Sequence, residues 1–118
     1  MRSRARVPER YAIGVAADDD LDAVAAAVGR ALGVDLHERY GLNIGGGRYF
    51  SNWSPAGADP EIHVITNYGP DEAQWKYEED QDVPYVVDVW CEASPVDVDD
   101  VIGRLTRAGF NCRVVAAC

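Results

Sequence analysis

The chain has 118 residues, 47% of them hydrophobic, and a formal net charge of -9, which suits one domain with its own core. Such acidity repels a phosphate backbone, so it sets nucleic-acid binding aside and favours a basic protein partner, besides the plainer role of keeping a small protein soluble. No apolar run is long enough to span a membrane, and three scattered cysteines without CxxC spacing fit the reduced thiols of a cytoplasmic protein.

The charge is unevenly placed. Residues 1–10, MRSRARVPER, carry four Arg against Glu9, a local +3 that leaves -12 on the other 108 residues. An Arg-rich start before apolar YAIGVAA mimics an export signal, but Asp18-Asp19-Asp20 cut it short. Residues 1–8 are expected to be a frayed basic N-terminus and 9–118 a single α+β domain.

RYAIGVAA (10–17) predicts a strand with Tyr11, Ile13 and Val15 on one face and Ala12, Gly14 and Ala16 on the other. The Asp run 18–20 supplies an N-cap, and Leu21, Val24, Ala25, Val28 and Leu32 form one apolar helical stripe ended by Gly33. VDLHERY (34–40), GGRYFSNW (46–53) and EIHVITNYG (61–69) read as strands separated by Gly-, Asn- and Pro-rich turns. An acidic connection follows. PYVVDVWCEA (84–93) is the strongest strand signal, with Val87, Val89 and Cys91 on one face and Val86, Asp88, Trp90 and Glu92 on the other. SPVDVDDVIGRLTRAG (94–109) predicts a helix capped by Ser94, with Pro95 at N1 and Asp97 at N3, and FNCRVVAAC (110–118) a closing strand.

The order β-α-β-β-β-β-α-β predicts an α+β fold. A mostly antiparallel sheet of five to six strands carries two helices on one face, as a ferredoxin-like relative with extra strands.

Sites of chemistry are scarce. Gly45-Gly46-Gly47 could cradle a phosphate only if a helix followed, whereas Arg48-Tyr49-Phe50 favours a strand and hence a hairpin turn. His37 and His63 lack partners at metal-ligand spacing, so no metal or cofactor is expected, and structural histidines are the default. Glu38 and Glu61 could pair with them for acid–base work, though nothing requires it. Cys91, Cys112 and Cys118 lie among apolar residues and read as small hydrophobes, with Arg113 beside Cys112 the one hint of thiol activation.

The stretch DEAQWKYEEDQD (71–82) is different, with six acids, one Lys and two large aromatics in twelve residues. Glu72 and Lys76 at helical spacing after Pro70 allow a short helix or a structured loop. Trp75 and Tyr77 either pack on the sheet or wait for a partner, and aromatics framed by carboxylates suit an Arg- or Lys-rich surface.

Between residues 31 and 93, about half of the chain, a further pattern stands. Ala31-Leu32-Gly33-Val34 ends the first helix, Gly46-Gly47-Arg48-Tyr49-Phe50 leads into a strand, and Val64-Ile65-Thr66-Asn67 precedes the acidic stretch and DVPYVVDVW (82–90). This pattern resembles small actinobacterial proteins similar to the immunity partners of polymorphic or contact-dependent toxins, with Arg48 interrupting the usual glycine–aromatic succession. The resemblance implies a non-catalytic inhibitor that binds one cognate toxin, a nuclease with a basic cleft for instance, and occludes its active site.

The leading expectation is therefore an acidic inhibitor of a basic protein partner. Its contact surface would be Asp71, Glu72, Trp75, Tyr77, Glu78, Glu79, Asp80 and Asp82. The alternative is a small-molecule-binding or regulatory module with Tyr49, Trp53, Tyr68 and Trp90 lining a pocket on the uncovered sheet face. An enzyme would need His37, His63 and Glu61 to converge. Monomer and homodimer are both compatible with the sequence.

Overall fold

The computed structural model describes residues 9–41, 47–58, 60–69, 74–75, 82–91 and 96–117, and of 68–69 and 74–75 the backbone. Strand β1 (Arg10–Ala16) lies inside the sheet, because its alternation gives both faces something to bury. Ile13 and Val15 point to one side and Ala12 to the other, and all three are buried. It pairs antiparallel with β7 (Tyr85–Trp90) and with β8 (Asn111–Ala117), the latter through a register shift between Ala12 and Ile13.

The remaining strands are β2 (His37–Tyr40), β3 (Arg48–Ser51) and β4 (Glu61–Thr66). The sheet order is β2-β3-β4-β7-β1-β8, with every neighbouring pair antiparallel. Its part β4-β7-β1-β8, with a helix after β1 and another after β7, is the split β-α-β arrangement of ferredoxin-like folds. The β2–β3 hairpin is inserted before β4 and widens the sheet on that side. A separate pair, β5 (Tyr68–Gly69) with β6 (Gln74–Trp75), was not anticipated. It also corrects the helical Glu72–Lys76 pairing, since Gln74 and Trp75 between them are extended and paired to Gly69 and Tyr68.

Helix α1 (Leu21–Leu32) starts at Asp20, whose carboxylate accepts from the Ala23 amide, and stops at Gly33 in the left-handed conformation (φ 69°). Helix α2 (Val98–Arg107) starts later than predicted. Its N-cap is Asp97, not Ser94, because the Asp97 carboxylate accepts from the Asp99 and Asp100 amides. Ser94 and Pro95 lie outside the described residues.

Both helices press on one sheet face. Leu21, Val24, Ala25, Val28, Val101 and Leu105 meet Ile13, Val15, Ile62, Val64, Val87 and Val89 in a single core, each aliphatic side chain contributing about 1.5–3 kcal/mol by burial. The predicted strands were longer than the observed ones for a local reason. Val34 and Leu36 pack on the core ahead of the hydrogen-bonded β2, and past Ser51 the Asn52 side chain takes over pairing to β4, accepting from the Ile62 amide and donating to the Pro60 carbonyl. A strand, not a helix, follows Gly47, and the Gly41 amide donates to the Gly47 carbonyl, so Gly47 closes the β2–β3 hairpin, while Gly45 and Gly46 lie outside the described residues. No described helix is long and apolar enough to cross a membrane.

Candidate functional site

The face without helices is where strand register gathers polar side chains. One cross-strand row runs His37, Ser51, His63, Asp88 and Ala12 over β2, β3, β4, β7 and β1. The next row places Glu61, Trp90 and Arg10 side by side. Asp88 is buried at 3% exposure and takes a 3.0 Å ion pair from Arg10, which also lies 4.7 Å from the centre of the Trp90 ring. A carboxylate removed from water needs such a partner.

His63 points away from Ile62 and Val64, as its alternation requires, and its Nε2 is 2.5 Å from Glu61 Oε2. Its ring stacks on Tyr49 at 5.5 Å. The succession Ser51, His63, Asp88 on adjoining strands suggests a nucleophile, base and orienting acid. The bonds run elsewhere: Ser51 Oγ accepts from the Trp53 amide, His63 meets Glu61, and Asp88 holds Arg10. A triad needs base bonded to nucleophile. His37 is exposed on the outermost strand, two strands from His63, and Glu38 beside it serves Arg48 instead.

Of the four aromatics proposed to line a pocket, Tyr49, Trp53 and Trp90 are described with their side chains. Tyr49 and Trp90 share the open face. Trp53 follows β3 at 46% exposure and carries the Arg39 guanidinium 5.7 Å from its ring, while Arg39 donates to the Trp53 carbonyl. The side chain of Tyr68 lies outside the described residues. The Trp90 indole nitrogen is buried without a hydrogen-bond partner among the described residues.

The acidic connection leaves this same side of the sheet. Asn67, fully buried at 0% exposure, closes its base: its amide donates to the Pro84 carbonyl and its Nδ2 to the Val83 carbonyl. Val83, 1% exposed, packs where Gly14 has no side chain, since a Cβ there would sit 2.8 Å from Val83 and from Val115. Asp82 takes both Arg113 guanidinium nitrogens, at 2.7 and 2.9 Å, and that pairing holds its carboxyl below the usual range. Asp82 thus anchors the segment. Asp71, Glu72, Tyr77, Glu78, Glu79 and Asp80 lie outside the described residues, as does the side chain of Trp75, whose backbone is in β6.

On the helix side, where β2 and β3 extend past α1, a groove of about 770 Å³ opens between them. Arg48 bridges Glu38 and Asp22 across it, which holds the Glu38 carboxyl below its ordinary range, helped by the Tyr40 hydroxyl. Sequence spacing could not flag this pairing, because it joins residues of three different elements.

Of the three cysteines, Cys118 lies outside the described residues. Cys91 is buried, and burial pushes the Cys112 thiol up, partly countered by Thr106, while Arg113 is turned to Asp82. Among the described residues no three His, Cys, Asp or Glu side chains group as metal ligands. The chain matches no protein-family model, no curated protein and no solved structure.

Proposed function

We propose that the chain is a non-catalytic acidic binding protein that uses the connection between β4 and β7 to dock on a basic protein. Its mode is that of an immunity-type inhibitor covering a toxin's active site. The observation that carries this reading is the clamped base of the connection. Neighbouring antiparallel strands need only about two to five linking residues. Here residues 67–84 intervene, and six acids fall within 71–82.

Asn67, Val83 and the Asp82–Arg113 pair fix where that long segment leaves and rejoins the sheet. Fixing its ends in advance lowers the ordering cost of binding. A charge of -12 outside the first ten residues would speed encounter with a basic surface, and Trp75 and Tyr77 would be its anchors. The resemblance to toxin-immunity proteins points to the same class.

The test is capture from the source cells with the wild-type chain and with the Glu78→Lys/Glu79→Lys/Asp80→Lys variant, followed by titration of the partner retained. A basic partner is expected, bound at least about tenfold more weakly by the variant and also by the wild type at about 0.5 M salt. Equal affinity of the two chains together with indifference to salt rejects the reading.

A small-ligand module is the second reading, favoured by the buried Trp90 indole nitrogen on the open face, which has no hydrogen-bond partner among the described residues. A small molecule that accepts from it should raise the melting temperature of the wild type and leave Trp90→Phe unchanged. A ligand that stabilises both alike does not use that site.

A further inference from the structure

The outer surface of the helix layer, across the sheet from the open face, carries a second charge pattern. The described arginines at 10, 39, 48, 104 and 113 each have a carboxylate or carbonyl partner: Asp88, the Trp53 carbonyl, Asp22 with Glu38, Asp100, and Asp82. Arg30 and Arg107 form no hydrogen bond or ion pair among the described residues. Both line one cleft of about 490 Å³ between α1 and α2, together with Arg104.

Ala27, Ala31 and Ala108 also line this cleft. Their small side chains keep the guanidinium groups off the core and leave space between the helices. An added Cβ on Gly103 would stand 3.5 Å from Arg107 Nη1, so the Arg107 guanidinium lies back along α2.

In a chain with 20 acids and 11 basic residues, unpaired cations are the unexpected case. All three arginines sit in the last turns of their helices, where the helix dipole favours cations. That offsets part of their mutual repulsion and permits the cluster without neutralising it. Two unpaired, permanently charged forks around one space, with Arg104 beside them held by Asp100, suit an oxyanion with several acceptors better than a single carboxylate.

We infer that the α1–α2 cleft binds a small phosphate-bearing anion through Arg30 and Arg107. This site shares no residue with the acidic connection, and its failure would leave the proposed docking function untouched.

Pyrophosphate is the probe, titrated calorimetrically into the whole chain at ionic strength held constant with sodium chloride. Saturable one-to-one binding is expected, weakened at least about tenfold in Arg30→Gln/Arg107→Gln. In the wild type, pyrophosphate should also protect Arg30 and Arg107 from phenylglyoxal relative to Arg39, a readout that needs no variant to fold. Absence of saturation, an affinity unchanged in the double variant, or equal protection of all three arginines overturns the inference.

Discussion

Toward the helices, β1, β4 and β7 present Ile13, Val15, Ile62, Val64, Val87 and Val89, while away from them the same strands present Arg10, Glu61, His63, Asp88 and Trp90. The first set is interchangeable in kind, since any well-packed aliphatic of similar volume satisfies it. The second set is matched group to group: Arg10 with Asp88 and Trp90, His63 with Glu61 and Tyr49. A one-residue slip of β7 would move Asp88 in among the aliphatics and Val87 and Val89 out. The helix face thus supplies most of the apolar burial, while the open face adds a smaller core of Ala12, Ile65 and Val86 and supplies register and a surface for recognition.

The largest expected effect breaks the helix side. Leu105 is fully buried under α2, and Leu105→Ala should cost about 2–5 kcal/mol in urea unfolding. Less than about 1 kcal/mol would mean that this face is not the main source of stability.

The open face should respond differently. Asp88→Leu takes the buried carboxylate from Arg10 and should cost about 2 kcal/mol, below the range for fully buried pairs because Arg10 keeps some contact with water. Arg10→Met/Asp88→Leu, which removes both charges, should return to within about 1 kcal/mol of the wild type. If the double variant is as unstable as the single one, the ion pair adds net stability and the contrast between faces fails.

Gly14 joins the open face to the acidic connection. Gly14→Ala places a Cβ against Val83 and Val115, both stiff at χ1, and should cost about 1–2 kcal/mol. Limited proteolysis should then cut within 70–82 sooner than in the wild type. An unchanged cleavage rate would mean that Val83 does not hold the connection.

What could be read from the sequence is what depends on neighbours along the chain. Asp20 and Gly33 bound α1 because caps act within one turn, and the alternation of β1 and β7 assigned both faces correctly. The start of α2 was misplaced because Ser94 and Asp97 are both good caps, and only the bonds from Asp99 and Asp100 choose between them. Long-range matching was hidden. Arg10 and Asp88 are 78 positions apart, and Arg48 meets Asp22 and Glu38 only once β2 and β3 fold beside α1. The arginine cleft was hidden for the same reason, since Arg30 and Arg107 share a wall only after the helices pack. Asn67 gave a faint signal as a polar residue ending a strand, but its burial follows from the chain folding back at Val83 and Pro84.

The smallest effect concerns the base of the acidic connection. Because Arg113 lowers the Asp82 carboxyl in the folded chain, the pair's contribution is present above the ordinary carboxylate range. It is lost as pH falls through the lower folded value. Both groups are exposed, so salt and water screen the pair and global unfolding should barely register it. Hydrogen exchange, corrected for intrinsic rates, can isolate it at the β5–β6 amides. Between about pH 5 and about pH 3, the wild type should lose protection there while the β1–β7 ladder keeps its own. Asp82→Asn should lack protection at both pH values and show no acid step. An identical acid step in the variant would place the titrating group elsewhere. Protection in the variant equal to the wild type's at about pH 5 and unchanged at about pH 3 would assign the clamp to Asn67 and Val83, so that the open face holds the connection by packing rather than by charge.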